Sequence, residues 1–153
     1  MRSILFIVWC SLFLNMYGCI GKGPYYVFRV ENNVDYDIVL HYRIYEAIHM
    51  YPDTLFTFEK IRDKILIKSH SYSEASYAHH LDIYVKRMPQ DTMSFFFFHA
   101  DTLDKYPIEV IQRDYRILRR YDLSSQDVIA LKKEYGNPVI PYPPDERMKN
   151  MKM

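Results

Sequence analysis

The chain has 153 residues, 49% hydrophobic and 25% charged, with a formal net charge of +1. This composition excludes a disordered polymer, and the absence of a basic excess argues against a nucleic-acid binder or a polybasic membrane surface. The length fits one domain able to bury a core without covalent staples.

The first 18 residues read as a lipoprotein-type signal peptide. Arg2 supplies a positive start, and Ile4 to Leu14 is an apolar run interrupted only by Ser11. A membrane-spanning helix needs about 20 apolar residues, so the run suits a cleaved signal instead. Gly18 then precedes Cys19, the expected lipid-attachment residue; the alternative is an ordinary signal cut nearby, leaving Cys19 as an odd thiol. Cleavage before Cys19 leaves 135 residues, with 19 basic against 19 acidic side chains once Arg2 is gone. Cys10 leaves with the signal, so a lipidated mature chain has neither a free thiol nor a disulfide.

Residues 19–24, with Gly21, Gly23 and Pro24, form a tether, and residues 25–136 are expected to form a single globular domain. Tyr25 to Glu31 reads as a strand, and Asn32-Asn33 supplies a turn. Tyr36 to Ile44 alternates Tyr36, Ile38, Leu40, Tyr42 and Ile44 with more polar positions. That predicts a strand with one face in a core and one in water, paired with its predecessor as a hairpin. Tyr45 to Pro52 reads as a loop. Short strands are expected at Thr54 to Phe58, Lys64 to Ser69 (Ile65 and Ile67 on one face) and Leu81 to Lys86. Met93 to Phe98 contains four consecutive phenylalanines without alternation, so this strand is expected mid-sheet with both faces covered.

Helical spacing begins later. Ile108, Ile111 and Tyr115 make a stripe after Pro107, a residue suited to a first helical turn. Ile117 to Tyr121 is a candidate final strand. Ser124 and Asp127 resemble a capping box for a helix carrying Val128, Leu131 and Tyr135, stopped at Gly136-Asn137-Pro138. Residues 137–153, proline-rich and then Met/Lys-rich, are expected to be an extended or disordered tail. The fold class is therefore mainly β (β-rich α+β): a small antiparallel sheet or β-sandwich with one or two short C-terminal helices.

No pattern singles out a catalytic residue or a cofactor. The apolar strand running into His99-Ala100-Asp101-Thr102 has the outline of a haloacid-dehalogenase-like phosphatase site, but His99 stands where the nucleophilic Asp belongs. A strand end followed by an Asp/Thr turn or helix cap explains it better. His79 and His80 are adjacent and diverge in either a strand or a helix, so one zinc ion does not readily take both, and no metal site is expected. The serines near Ser69 to Ser76 lack a glycine-flanked elbow, and four glycines in the whole chain leave no phosphate loop. Tyrosine is abundant, at 15 residues. Packing accounts for most of them, but Tyr25, Tyr45, Tyr51, Tyr72, Tyr77 and Tyr84 fall in loops or off apolar faces. These are candidates for contact with a protein partner or a glycan.

Phe95 to Leu103, Tyr106, and the Tyr115 to Ser124 stretch containing Arg120-Tyr121-Asp122-Leu123-Ser124 and followed by Asp127 resemble a group of small lipoproteins of unknown function from Bacteroidota, as does the later Tyr142-Pro143. The chain departs from them at His99, where Asp is the common form. The resemblance covers about 50 residues plus the signal. It implies an envelope lipoprotein anchored in the outer membrane and assigns no activity. Ile20-Gly21-Lys22-Gly23 has none of the acidic residues that follow the cysteine in surface-exported relatives, which points to the periplasmic face. The expectation is a lipid-anchored envelope domain, not an enzyme, that binds an envelope protein or plays a structural role. The alternative is a surface-exposed glycan-binding module using tyrosine stacking.

Overall fold

The computed structural model describes residues 26–42, 64–77, 80–131, 133–134 and 136–151. The signal, Cys19, the tether, Tyr25, Tyr45, Tyr51 and the strand expected at Thr54 to Phe58 all lie outside these residues. The described part is mainly β. It holds two four-stranded sheets whose apolar faces share one core, accompanied by short helices.

In the first sheet, β1 (Tyr26–Asn32) lies between β4 (Ser71–Tyr77) and β8 (Asn137–Tyr142), with the short β7 (Lys133–Glu134) outside β8. In the second, the order is β3 (Lys64–Ile67), β2 (Ile38–Tyr42), β5 (Thr92–His99) and β6 (Arg119–Ser124). Every neighbouring pair is antiparallel except β1 and β8, which run parallel.

The hairpin expected between the first two strands does not form, because β1 and β2 belong to different sheets. Asn32 explains the crossing. Its side chain is buried, and Nδ2 donates to the carbonyl oxygens of Tyr36 (2.8 Å), Ile67 (3.2 Å) and Lys68 (3.1 Å). Its Oδ1 accepts from the Val34 N–H at 3.2 Å. One amide thus fastens the end of the first sheet to the start of β2 and the end of β3.

Period-two alternation places Phe28 and Val30 of β1, Ile38 and Leu40 of β2, Phe95 and Phe97 of β5, and Ile140 of β8 in the shared core. Phe97 stacks on Tyr142 (centroids 5.0 Å apart, planes at 21°) and packs 4.7 Å from Tyr121, while Phe28 meets Phe95 edge-on at 5.8 Å. The phenylalanine run behaves as its lack of alternation implied. Phe96 and Phe98 point to the opposite face and join Val39 and Ile111 in a second, smaller core. Two helices, α2 (Ala100–Lys105) and α3 (Ile108–Arg113), supply Leu103, Ile108 and Ile111 to that cover; α3 starts after Pro107, as the stripe implied. For the same reason β2 does not have a wet face. All five of its residues are buried.

Leu81 to Lys86 is not a strand. Leu81–Val85 is helix α1, because Leu81 and Val85, four residues apart, are the buried pair and Ile83 between them is exposed. Alternation at 81, 83 and 85 fits either period over so short a stretch. Ser71–Tyr77 is a strand that apolar patterning did not reveal; among its described side chains, Ala75 is the one in the core.

The Ser124/Asp127 capping box forms as expected: Ser124 N–H donates to Asp127 Oδ2 (2.8 Å), and Asp127 N–H donates to Ser124 Oγ (3.1 Å). The helix it starts, α4 (Ser125–Ala130), is shorter than the Val128 to Tyr135 spacing suggested. Gly136 sits at φ +85° in the turn between β7 and β8 instead of stopping a helix. The tail expected at 137–153 is likewise corrected. Asn137–Tyr142 is a strand inside the first sheet, and Met148 is buried in the main core. Pro138 and Pro141 disguised it, because proline reads as a strand breaker. The folded unit therefore extends past residue 136. Among the described residues no helix is long and apolar enough to cross a membrane.

Candidate functional site

The second sheet ends in an open groove of about 700 Å³ between the outer face of β3, the start of β2 and the first turns of α2. Lys64 and Leu66 lie two apart on β3, and Lys68 follows in the same rhythm, so the three share the face that lines it. Leu66 is 50% exposed, and Val39 and Leu103 continue the apolar floor beside it.

His99 stands at the junction of strand and helix. It pairs with Ile38 across the sheet, and Ala100 N–H donates to the Asp37 carbonyl at 3.0 Å. Its ring stacks on Tyr36 at 4.8 Å with planes 22° apart. Its Nδ1 accepts from the Asp101 N–H at 3.2 Å, capping α2 and leaving the neutral ring's hydrogen on Nε2. The helix cap read from the sequence is thus present, with His99 itself as the capping residue.

Carboxylates crowd the rim. Lys68 Nζ donates to Asp37 Oδ2 (2.7 Å) and Ser69 N–H to Asp37 Oδ1 (2.9 Å). The Lys68 bond first, and the Ser69 bond second, hold the Asp37 carboxyl below its usual range. Asp101 takes Lys105 Nζ at 3.2 Å, and Asp35 Oδ1 lies 2.6 Å from His70 Nε2. Exposed pairs of this kind are screened by water, so they orient side chains more than they stabilise the fold. Asp104, on the exposed side of α2, completes the lining.

A second polar cluster lies on the outer face of the same sheet. Arg120 Nε donates to Asp122 Oδ1 (2.7 Å), Ser94 Oγ donates to the same oxygen (2.6 Å), and Arg120 Nη2 donates to Ser94 Oγ (3.1 Å). The Arg120 guanidinium also lies 5.2 Å from the centre of the Phe96 ring. The three side chains satisfy one another, and the arrangement is that of a structural network. Among the described residues no group of three or more His, Cys, Asp or Glu side chains is placed to hold a metal ion.

The tyrosine candidates are scattered. Tyr72 is 55% exposed on β4, with the Arg29 guanidinium 4.0 Å from its ring centre. Tyr84 is half-buried on α1, and Tyr77 is placed by its backbone pairing with Tyr26. None of these three lines the groove. Of the groove residues, His99 and Asp101 stood out in the sequence. Asp35, Asp37, Lys64, Leu66, Lys68 and Asp104 did not, although the Lys64-Leu66-Lys68 alternation was a usable signal.

No protein-family model matches the chain, and neither a curated protein nor a solved structure shows significant similarity to it. The segments Phe95 to Leu103 and Tyr115 to Ser124 are spatial neighbours, since β5 pairs with β6 and α2 follows β5 into the groove.

Proposed function

We propose that this chain is a lipid-anchored cell-envelope protein, held through Cys19 in the outer membrane on its periplasmic face, that performs no catalysis and binds a protein partner in the groove beside His99. The short apolar run before Cys19 supports the anchor. The observation that carries the binding role is half-exposed Leu66, which adjoins Val39 and Leu103 inside a charged rim. That arrangement of apolar centre and polar border is typical of protein interfaces.

Two measurements test this reading. The intact mass of membrane-extracted protein should match residues 19–153 plus acyl chains and lose the acyl mass in Cys19→Ser. A photo-crosslinking amino acid at position 66 should give one discrete adduct in intact cells, while the same group at position 149, on the exposed C-terminal segment, should not. An unacylated chain, or identical crosslinking from both positions, overturns it. Glycan binding is a second reading, favoured by the exposure of Tyr72. It requires retention on polysaccharide that Tyr72→Ala abolishes.

A further inference from the structure

We infer that the partner segment seated in this groove is cationic, a stretch presenting lysine or arginine next to aliphatic side chains. The inference deepens the partner-binding reading and rests on it.

Charge is the first argument. Among the described residues, Asp35, Asp37, Asp101 and Asp104 line the groove against Lys64 and Lys68, and even with Lys105 counted beside Asp101 the local balance is negative in a chain whose formal total is +1. The asymmetry therefore belongs to the site and not to the whole molecule. Lys68 is already committed to Asp37 at 2.7 Å. An acidic segment docking here meets four carboxylates, and a purely apolar one strips water from them without bringing a positive charge.

Shape and polarity give the second argument. The floor made by Val39, Leu66 and Leu103 is apolar while the rim is acidic. Lysine and arginine have that same division, with an aliphatic stem and a charged head, so one side chain can lie along Leu66 and end among the carboxylates. The carboxylates are also spread around the groove, and no three acidic or histidine groups among the described residues converge on one point. Such a distribution suits several separated positive charges on a peptide better than one compact metal ion.

The test uses the full mature protein in neutral detergent micelles and two acetylated, amidated pentapeptides, Lys-Leu-Lys-Leu-Lys and Glu-Leu-Glu-Leu-Glu. Fluorescence anisotropy reads binding, and backbone amide shifts locate it. The lysine peptide should saturate the protein and shift the amides of Leu66, His99 and Asp101. Its affinity should fall several-fold between about 20 mM and about 300 mM salt, as screening shortens the reach of exposed charges. Asp101→Asn with Asp104→Asn should weaken it about fivefold, a change expected from removing two rim charges. Both positions are exposed, so the fold should survive; Leu66→Ser should weaken binding through the floor instead. Equal binding of the glutamate peptide, no saturation by the lysine peptide, or shifts confined to another surface overturns the inference. If the peptide fails while the position-66 crosslink persists in cells, the cationic assignment falls and partner binding stands. If both fail, both fall.

Discussion

Replacing Asn32 tests the account of how the two sheets are joined. Asn32→Ala removes an amide whose two N–H hydrogens are shared among three carbonyl oxygens and whose oxygen accepts one bond, at a site only 1% exposed. The Tyr36 and Lys68 ends of this network are partly buried and can recruit water, whereas the bond to the Ile67 carbonyl is fully buried and leaves an orphaned acceptor. An unsatisfied buried group costs about 1–3 kcal/mol and each remaining bond about 1 kcal/mol or less, giving a loss of about 2–4 kcal/mol. That is a large share of the roughly 5–15 kcal/mol holding a typical domain together. Asn32→Asp is nearly isosteric but turns a carboxylate oxygen toward the three carbonyls, so it should cost more than the alanine variant at pH 7. Burial and the carbonyl dipoles raise the folded-state pKa of that new carboxyl above its unfolded value near 3.9. The folded state then binds its proton more tightly, so the deficit relative to wild type shrinks as pH falls from 7 to 4. Urea unfolding at both pH values, followed by near-UV circular dichroism of the tyrosines, gives these differences; the one tryptophan, Trp9, lies outside the described residues. An alanine variant within 1 kcal/mol of wild type, or an aspartate variant with no pH-dependent deficit, refutes the reasoning.

Phe97→Ala removes a ring with no solvent exposure and its contacts with Tyr121 and Tyr142, and should destabilise by about 3–5 kcal/mol in the same urea assay. Ser124→Ala deletes one half of the capping box and should cost about 1 kcal/mol, whereas Gln126→Ala on the exposed side of α4 should leave the midpoint nearly unchanged. Desolvation raises the Tyr121 phenol well above its usual value near 10. The folded state keeps that proton where the unfolded chain has lost it, so this contribution is complete below pH 10 and declines as pH rises further. Thermal melts above pH 10 should show the decline, and Tyr121→Phe should flatten it by up to about 1.4 kcal/mol per pH unit; an unchanged slope contradicts the burial argument.

The features readable from the sequence are those decided locally. Four phenylalanines in a row leave no polar position for a wet face, and Ser124 and Asp127 meet within one helical turn. Apart from helix α1, whose few residues fit either period, the misreadings have a common cause in distance. Whether Asn32-Asn33 begins a hairpin or a crossing depends on Ile67 and Lys68, which lie more than thirty residues away. The parallel partner of β1 is a proline-containing strand over a hundred residues later, and its apolar residues looked like the remnants of a tail. Ser71–Tyr77 is nearly all polar because it is an edge strand resting on the core through Ala75. The groove follows the same rule. His99 and Asp101 are adjacent enough to be noticed together, but Asp37, Leu66 and Lys68 join them through β2 and β3 pairing, which no short window contains.

The position of β1 also determines how this molecule carries tension. A pull on the chain ahead of residue 26 enters the fold at β1, which is flanked by β4 over seven register pairs and by β8 over four. The force runs along the strand, so both ladders are loaded in shear and many bonds must give way together, instead of peeling one by one as they do at a free edge. A load on the groove enters the other sheet and reaches β1 through the short connection from Asn32 to Ile38, the Asn32 amide and side-chain contacts such as Phe28 against Phe95. With the sheets joined by so short a connection, they move together under strain, and the ladders on either side of β1 bear the pull.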